Sequence, residues 1–398
     1  MSPTERRLSR LSRLAQIHRE RCVAYCGTIT LALLVRVYAS FFAGKEWFST
    51  DTFEYFSLAD AILARRPFSY TPNGYPLLIA VVKLAAKPSW VPAILICVNI
   101  VSSATVVILV MRIAEAVHPS PIVRYSAGLL CALLPSQINY VRYLYSEAPA
   151  TVVFVGGIAL LLVERHTTAG FLLYVSNLFR STLGPVIPLA CICVIAFRRT
   201  WRAAILLAAG GLVGVMLYWP LEVTGIVHPP GNFAANVLLA IGEDAEAWSL
   251  SGGDDLSRSV TVISRYIAFA RDHPREFVRQ RLTAAWNLWG PWPPAGDTPG
   301  RRPRSTATRL MIGLRFPLLI LAIVGFVRSR RLFPAWICAV PIAVISVTHF
   351  LLYAEARYTY PVEPLAVVLA AVGGYSLVRD VVGSRNSSGD GRQASSPT

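Results

Sequence analysis

Four charged residues stand where the surrounding sequence is apolar or aromatic, and their types suit proton transfer and anion binding. Asp51 lies in Trp47-Phe48-Ser49-Thr50-Asp51-Thr52-Phe53-Glu54-Tyr55, where a carboxylate could take the proton of an attacking hydroxyl. Asp51-x-x-Glu54 is also a capping box, and a carboxylate at a helix start can serve both roles. Glu147 ends Arg142-Tyr143-Leu144-Tyr145-Ser146-Glu147 between two apolar runs, as a second acid or as an ion-pair partner of Arg142. Arg180 interrupts the apolar segment 170–197. A guanidinium there costs about 2.5–3.5 kcal/mol unless it faces a polar cavity or snorkels to the interface, and a phosphate would satisfy it. Arg357, in His349-Phe350-Leu351-Leu352-Tyr353-Ala354-Glu355-Ala356-Arg357-Tyr358-Thr359-Tyr360-Pro361, is a second phosphate ligand or the ion-pair partner of Glu355.

The elements that must hold these residues are membrane helices. Of 398 residues 54% are apolar, and the mean hydropathy is +0.51. The bilayer is then the main solvent. The net charge of +16 does not indicate nucleic acid, because outside one long loop the arginines cluster at the ends of apolar runs. Seven cysteines lie in or beside apolar segments and imply no disulfide framework, and no metal site or cofactor is expected.

Arg6, Arg7, Arg10, Arg13, Arg19 and Arg21 precede the first span, Val23–Ala43, and keep the N-terminus cytoplasmic. The apolar stretch Tyr75–Ala86 is too short to cross and reads as an interfacial helix. Further spans are expected at 91–113, 122–138, 148–163, 203–219, 311–327, 332–350 and 361–378. The segment 170–197 reads as a hairpin of two short helices broken around Arg180 to Pro185, since a single crossing would place Arg328, Arg330 and Arg331 outside. The expected fold is an all-α bundle of about ten spans with external juxtamembrane helices and one large external loop. Its parts are a basic N-terminus (1–22), an N-terminal membrane module (23–219) with the external loop 44–73, the large loop (220–310), a C-terminal membrane module (311–380) and a disordered cytoplasmic tail (381–398). Within the large loop Val262–Trp289 has helical spacing, five prolines break 290–303, and Asp254-Asp255 reads as a turn. A helix starting at Asp51 would put Asp51, Tyr55, Leu58 and Ile62 on one face. Arg36, inside the first span, needs a partner the sequence does not name.

In order and spacing these motifs resemble the C-superfamily membrane glycosyltransferases, in the branch of protein O-mannosyltransferases and lipid A aminoarabinose transferases. The resemblance runs over most of 23–380. Asp51-x-x-x-Tyr55-x-x-x-Ala59 and Asn73-Gly74-Tyr75-Pro76 resemble the family's opening motif, Ser146-Glu147 its second-loop acid and Phe179-Arg180 its hairpin arginine. Pro230-Gly231-Asn232 through Gly242 is similar to part of its large loop, and Glu355-Ala356-Arg357-Tyr358 to the motif before its last helix. Thr52 stands where the family often has a second acid, and the chain stops soon after the last span.

The resemblance implies transfer of a hexose or pentose from a polyprenyl-phosphate donor to a glycolipid, glycan or protein acceptor. The enzyme would sit in the cytoplasmic membrane, with its site facing the periplasm or exterior. Asp51 and Glu147 would be catalytic, Arg180 and Arg357 would hold the donor phosphate, and Tyr55, Tyr75, Glu355 and Tyr358 would contact substrate. The rival reading is a transporter or flippase of lipid-linked sugars, which should show an internal repeat or paired interrupted helices, and the sequence shows neither. There is also no Walker A loop, HExxH or GxSxG.

Overall fold

The computed structural model describes residues 3–43, 47–48, 50–66, 72–227, 233–243, 256–290 and 313–390. Among them the chain is all helix and turn. A first helix, α1 (Pro3–Phe41), runs unbroken from the basic arm into the first span. Two short helices follow, α2 (Thr50–Leu63) and α3 (Gly74–Ala85), and pack on each other. Next come α4 (Val91–Val117), α5 (Pro121–Leu133), α6 (Pro135–Asn139), α7 (Glu147–Leu162), α8 (His166–Phe179), α9 (Val186–Arg198) and α10 (Trp201–Val223). The large loop contributes α11 (Phe233–Ala240), α12 (Leu256–Asp272) and α13 (Pro274–Trp289). The chain closes with α14 (Arg315–Ser329), α15 (Phe333–Leu351) and α16 (Glu363–Asp390).

Among the described residues six helical segments are long and apolar enough to cross a membrane: Cys22–Phe41 in α1, Pro88–Val117 including α4, Ser181–Arg198 including α9, and those in α10, α15 and α16. Adding α5, α7, α8 and α14, of 13, 16, 14 and 15 residues, accounts for the ten expected segments, although these four are shorter than the ~20 residues of a full crossing. The protein is a polytopic all-α membrane protein. The hairpin reading of 170–197 matches two helices, α8 and α9, joined by a 3₁₀ turn at Ser181–Leu183. The loops expected outside converge at one end of the bundle, where Arg357 meets Asp51 and Arg180 meets Glu147. The opposite end gathers Arg124 with Glu115, Arg198 with Glu164 and Arg328 with Asp380.

Three segments depart from the sequence reading, two of them because of proline. The expected span 122–138 breaks at Leu134, whose extended backbone (ψ 119°) precedes Pro135. Pro135 has no N–H for the Cys131 carbonyl, and Arg36 fills the vacancy. Its Nη2 donates to Cys131 O at 3.4 Å and its Nη1 to Ala132 O at 3.1 Å, while Nε donates to Ser103 Oγ at 2.7 Å. The partner that the sequence left unnamed for Arg36 is thus a broken helix end. Likewise the helical pattern of Val262–Trp289 is two helices, divided at His273 because Pro274 starts α13 in the first-turn position proline tolerates. Finally, α16 continues to Asp390, into the tail expected to be disordered. Pro230-Gly231-Asn232, Asp254-Asp255 and most of 290–303 lie outside the described residues.

Paired glycines let helix backbones touch. A Cβ on Gly325 of α14 would stand 1.9 Å from Leu369 O of α16, and one on Gly170 of α8 would stand 1.9 Å from Leu207 O of α10. Close backbone approach of this kind supplies packing energy where lipid leaves little hydrophobic drive between helices. It brings the backbones of α14 and α16 together.

Candidate active site

The converged end holds a cavity of about 470 Å³, a size ordinary for a small-ligand site. Asp51 enters it from the first turn of α2 and Arg357 from the 3₁₀ turn Ala356–Thr359. Arg357 Nη1 donates to Asp51 Oδ2, and Arg357 Nε lies 2.7 Å from Glu355 Oε2. Tyr353 donates its hydroxyl to Glu355 Oε1 at 3.0 Å. Arg357 is thus the ion-pair partner of Glu355 that the spacing offered, and Asp51 is the addition that sequence spacing could not show.

Arg180 ends α8 with extended backbone, and Glu147 opens α7. Each charge suits its helix end, a cation at a C-terminus and an anion at an N-terminus. Arg180 Nη2 donates to Glu147 Oε1, so Glu147 pairs with Arg180 and not with Arg142, which lies over the Tyr143 ring. Glu147 Oε2 and Arg180 Nε are buried and have no hydrogen-bond partner among the described residues. With its side chain 13% exposed, Arg180 does not snorkel but lines the cavity.

Tyr358 joins the two arginines. Its ring centroid is 5.5 Å from Arg180 Cζ and 5.7 Å from Arg357 Cζ, and His349 stacks on it at 4.3 Å. His349 Nδ1 hydrogen-bonds with Tyr353 O at 2.8 Å, which fixes the imidazole against the cavity wall. Burial and the neighbouring Glu355 push the Tyr358 phenol up to about 12, so it stays a neutral platform. For Arg357, burial works against the charge, but Glu355, Tyr358, Glu147 and Asp51 outweigh it and hold its pKa well above the ordinary value. Burial, then Asp51, raises the Glu54 carboxyl, and Arg357 opposes them in part.

Of the eight residues singled out from the sequence, Asp51, Tyr55, Arg180, Glu355, Arg357 and Tyr358 line the cavity together. Glu147 and Tyr75 do not, since they are 1% and 0% exposed and stand behind the lining. Tyr75 packs edge-on against Tyr55 at 5.2 Å, and the Tyr55 hydroxyl is 3.5 Å from Ser146 Oγ. Sequence reasoning passed over Glu54, Tyr353 and His349 as site residues. His349 was hidden at the end of an apolar span, and Glu54 in a capping pattern. No group of three or more His, Cys, Asp or Glu residues close enough to hold a metal occurs among the described residues.

No protein-family model and no curated protein sequence matches this chain. Its fold is nonetheless shared with solved structures. The oligosaccharyltransferase AglB from Archaeoglobus fulgidus, in complex with an inhibitory peptide and a dolichol-phosphate, superposes with a TM-score of 0.56 at 15% identity, over 94% of this chain and 52% of that one. The apo form of the Archaeoglobus fulgidus oligosaccharyltransferase gives 0.55 at 14% identity, again over 94% and 52%. ArnT from Cupriavidus metallidurans superposes with a TM-score of 0.37 at 14% identity, over 86% of this chain and 76% of that one. The chain thus shares the helical membrane fold of the archaeal oligosaccharyltransferase. It spans about half the length of the archaeal enzyme it matches.

Proposed function

We propose that this protein is a glycosyltransferase that moves a hexose or pentose from a polyprenyl-phosphate donor to an acceptor hydroxyl at the outer face of the cytoplasmic membrane. The observation that carries the reading is one cavity holding a carboxylate, Asp51, and two arginines, Arg180 and Arg357, on loops from three separate parts of the chain. AglB, whose fold the chain shares, has been solved with a dolichol-phosphate bound, which supports a lipid phosphate as the anion.

In this reading the acceptor oxygen attacks the anomeric carbon as the bond from that carbon to the phosphate oxygen breaks. Asp51 takes the acceptor proton, and the charge left on the lipid phosphate is neutralised by Arg180 and Arg357. The phosphate must displace Asp51 from Arg357, and that exchange frees the carboxylate to act as a base. Tyr55, Glu355 and Tyr358 face the sugar. From behind the lining, Glu147 orients Arg180 and Tyr75 supports Tyr55. The acceptor is a glycolipid, a glycan or a protein, and membrane lipid surrounds the bundle. Mass spectrometry of envelope glycolipids and glycoproteins, with and without the gene, tests the reading. A hexose or pentose missing from one of them is expected, and an unchanged envelope glycome would count against it.

A further inference from the structure

Beneath the turn that carries Arg357 lies a buried ionic cluster the proposed chemistry does not use. Arg315, at the start of α14, and Glu363, at the start of α16, are both fully buried, with Arg315 Nε donating to Glu363 Oε1 at 2.7 Å. The Thr359 hydroxyl donates to the same oxygen at 2.9 Å. The other carboxylate oxygen accepts from Ser136 Oγ and, at 3.3 Å, from Gln137 Nε2. Gln137 Nε2 also reaches Tyr360 O at 3.1 Å.

Glu363 is therefore satisfied on both oxygens, whereas Arg315 Nη1 and Nη2 have no hydrogen-bond partner among the described residues. A buried pair with an incompletely bonded guanidinium is a poor source of stability, because desolvation of both ions offsets their attraction. A clamp between α14 and α16 does not need it either, since the Gly325 contact with Leu369 already brings those backbones together. What the cluster does fix is the 3₁₀ turn Ala356–Thr359. Thr359 is two residues from Arg357, and Tyr360 N donates to Arg357 O at 3.1 Å, so the carboxylate ties down the C-terminal end of the short turn that carries Arg357.

We infer that Glu363 is a positioning residue for the anion site: it pins the turn that presents Arg357 and Tyr358 to the cavity, and Arg315 neutralises it in that place. The inference rests on Arg357 being a phosphate ligand, as proposed above. Thr359→Val cuts the link and leaves every charge in place, while Thr359→Ser keeps the hydroxyl. Ser136→Ala is a milder change at the far oxygen.

The test measures binding of decaprenyl monophosphate to the full chain in lipid nanodiscs by native mass spectrometry, with hydrogen exchange of residues 353–361 followed in the same samples. Thr359→Val should weaken binding by about three- to tenfold, the range for losing one ordinary hydrogen bond, and should speed exchange of the segment. Thr359→Ser should stay near wild type, and Ser136→Ala should shift both readouts in the same direction by less. In an Arg357→Gln background Thr359→Val should have no further effect on binding. Unchanged binding and exchange in Thr359→Val would overturn the inference, and so would an equal loss in the Arg357→Gln background. A wild-type protein that binds no decaprenyl monophosphate would instead remove the donor reading and this inference with it.

Discussion

Replacing Asp51 by Asn separates the roles that this carboxylate could hold. Asp51 is the second residue of α2, inside its first turn, where a carboxylate contributes about 0.3–1 kcal/mol through the helix dipole, so the stability cost of the change is small. If Asp51 is the base, transfer falls by about 10²–10⁴. Donor affinity should move the opposite way. Asp51 and Arg357 form an ion pair with side chains 34% and 23% exposed, and partial exposure keeps such a pair near 1 kcal/mol. A lipid phosphate must break that pair to reach Arg357. Removing the Asp51 charge then tightens donor binding by about fivefold. Glu54→Gln is the control, because it removes a cavity charge whose carboxylate forms no ion pair with Arg357 among the described residues, and its effect should be smaller. Decaprenyl phosphate binding in nanodiscs and transfer of labelled sugar are the two assays. Substantial transfer by well-folded Asp51→Asn would leave Asp51 only its structural role. Weaker donor binding in that variant would refute the competition for Arg357.

Three other outcomes follow from the same geometry. Arg357→Lys keeps the charge but loses the planar fork, so donor affinity should drop by about tenfold, and a Glu355→Gln, Arg357→Gln double variant that binds like wild type would refute the phosphate role. The raised Glu54 carboxyl ionises only at higher pH than an ordinary glutamate, and ionisation adds negative charge beside the phosphate. Donor affinity should therefore fall as pH rises through that titration, and Glu54→Gln should flatten the dependence. Gly325→Ala would force a methyl to within 1.9 Å of Leu369 O, so the thermal midpoint should drop in line with about 1–3 kcal/mol of overpacking, while donor affinity in the folded fraction changes little.

The parts of the site legible in the sequence were those where charge interrupts an apolar run. Arg180 stands out because hydrocarbon penalises it, Arg357 because it sits in the polar and aromatic loop before the last span, and the hairpin break follows from keeping the arginine clusters on one side. Ion-pair partners were not legible, since Asp51 and Arg357 are 306 positions apart and only the packed bundle joins them. Arg315 lies inside the expected span 311–327 and carries no legible role there, because its pairing with Glu363 depends on how α14 and α16 are rotated about their axes. That Glu147 and Tyr75 turn inward behind the lining is also a matter of helix rotation, which alternation of residue types leaves open.

The proposed function requires this chain to break the bond between a sugar and a lipid phosphate and to make a new glycosidic bond to the acceptor. Purified protein in nanodiscs, given decaprenyl-phosphate-linked mannose or arabinose carrying a radiolabel together with an envelope extract as acceptor, provides the direct measurement. Time-dependent release of free decaprenyl phosphate is expected, with label appearing in the extract and both abolished by Asp51→Asn. Donor that binds the wild type but stays intact, while liposome-reconstituted protein carries it from one leaflet to the other, would contradict the account and favour a flippase.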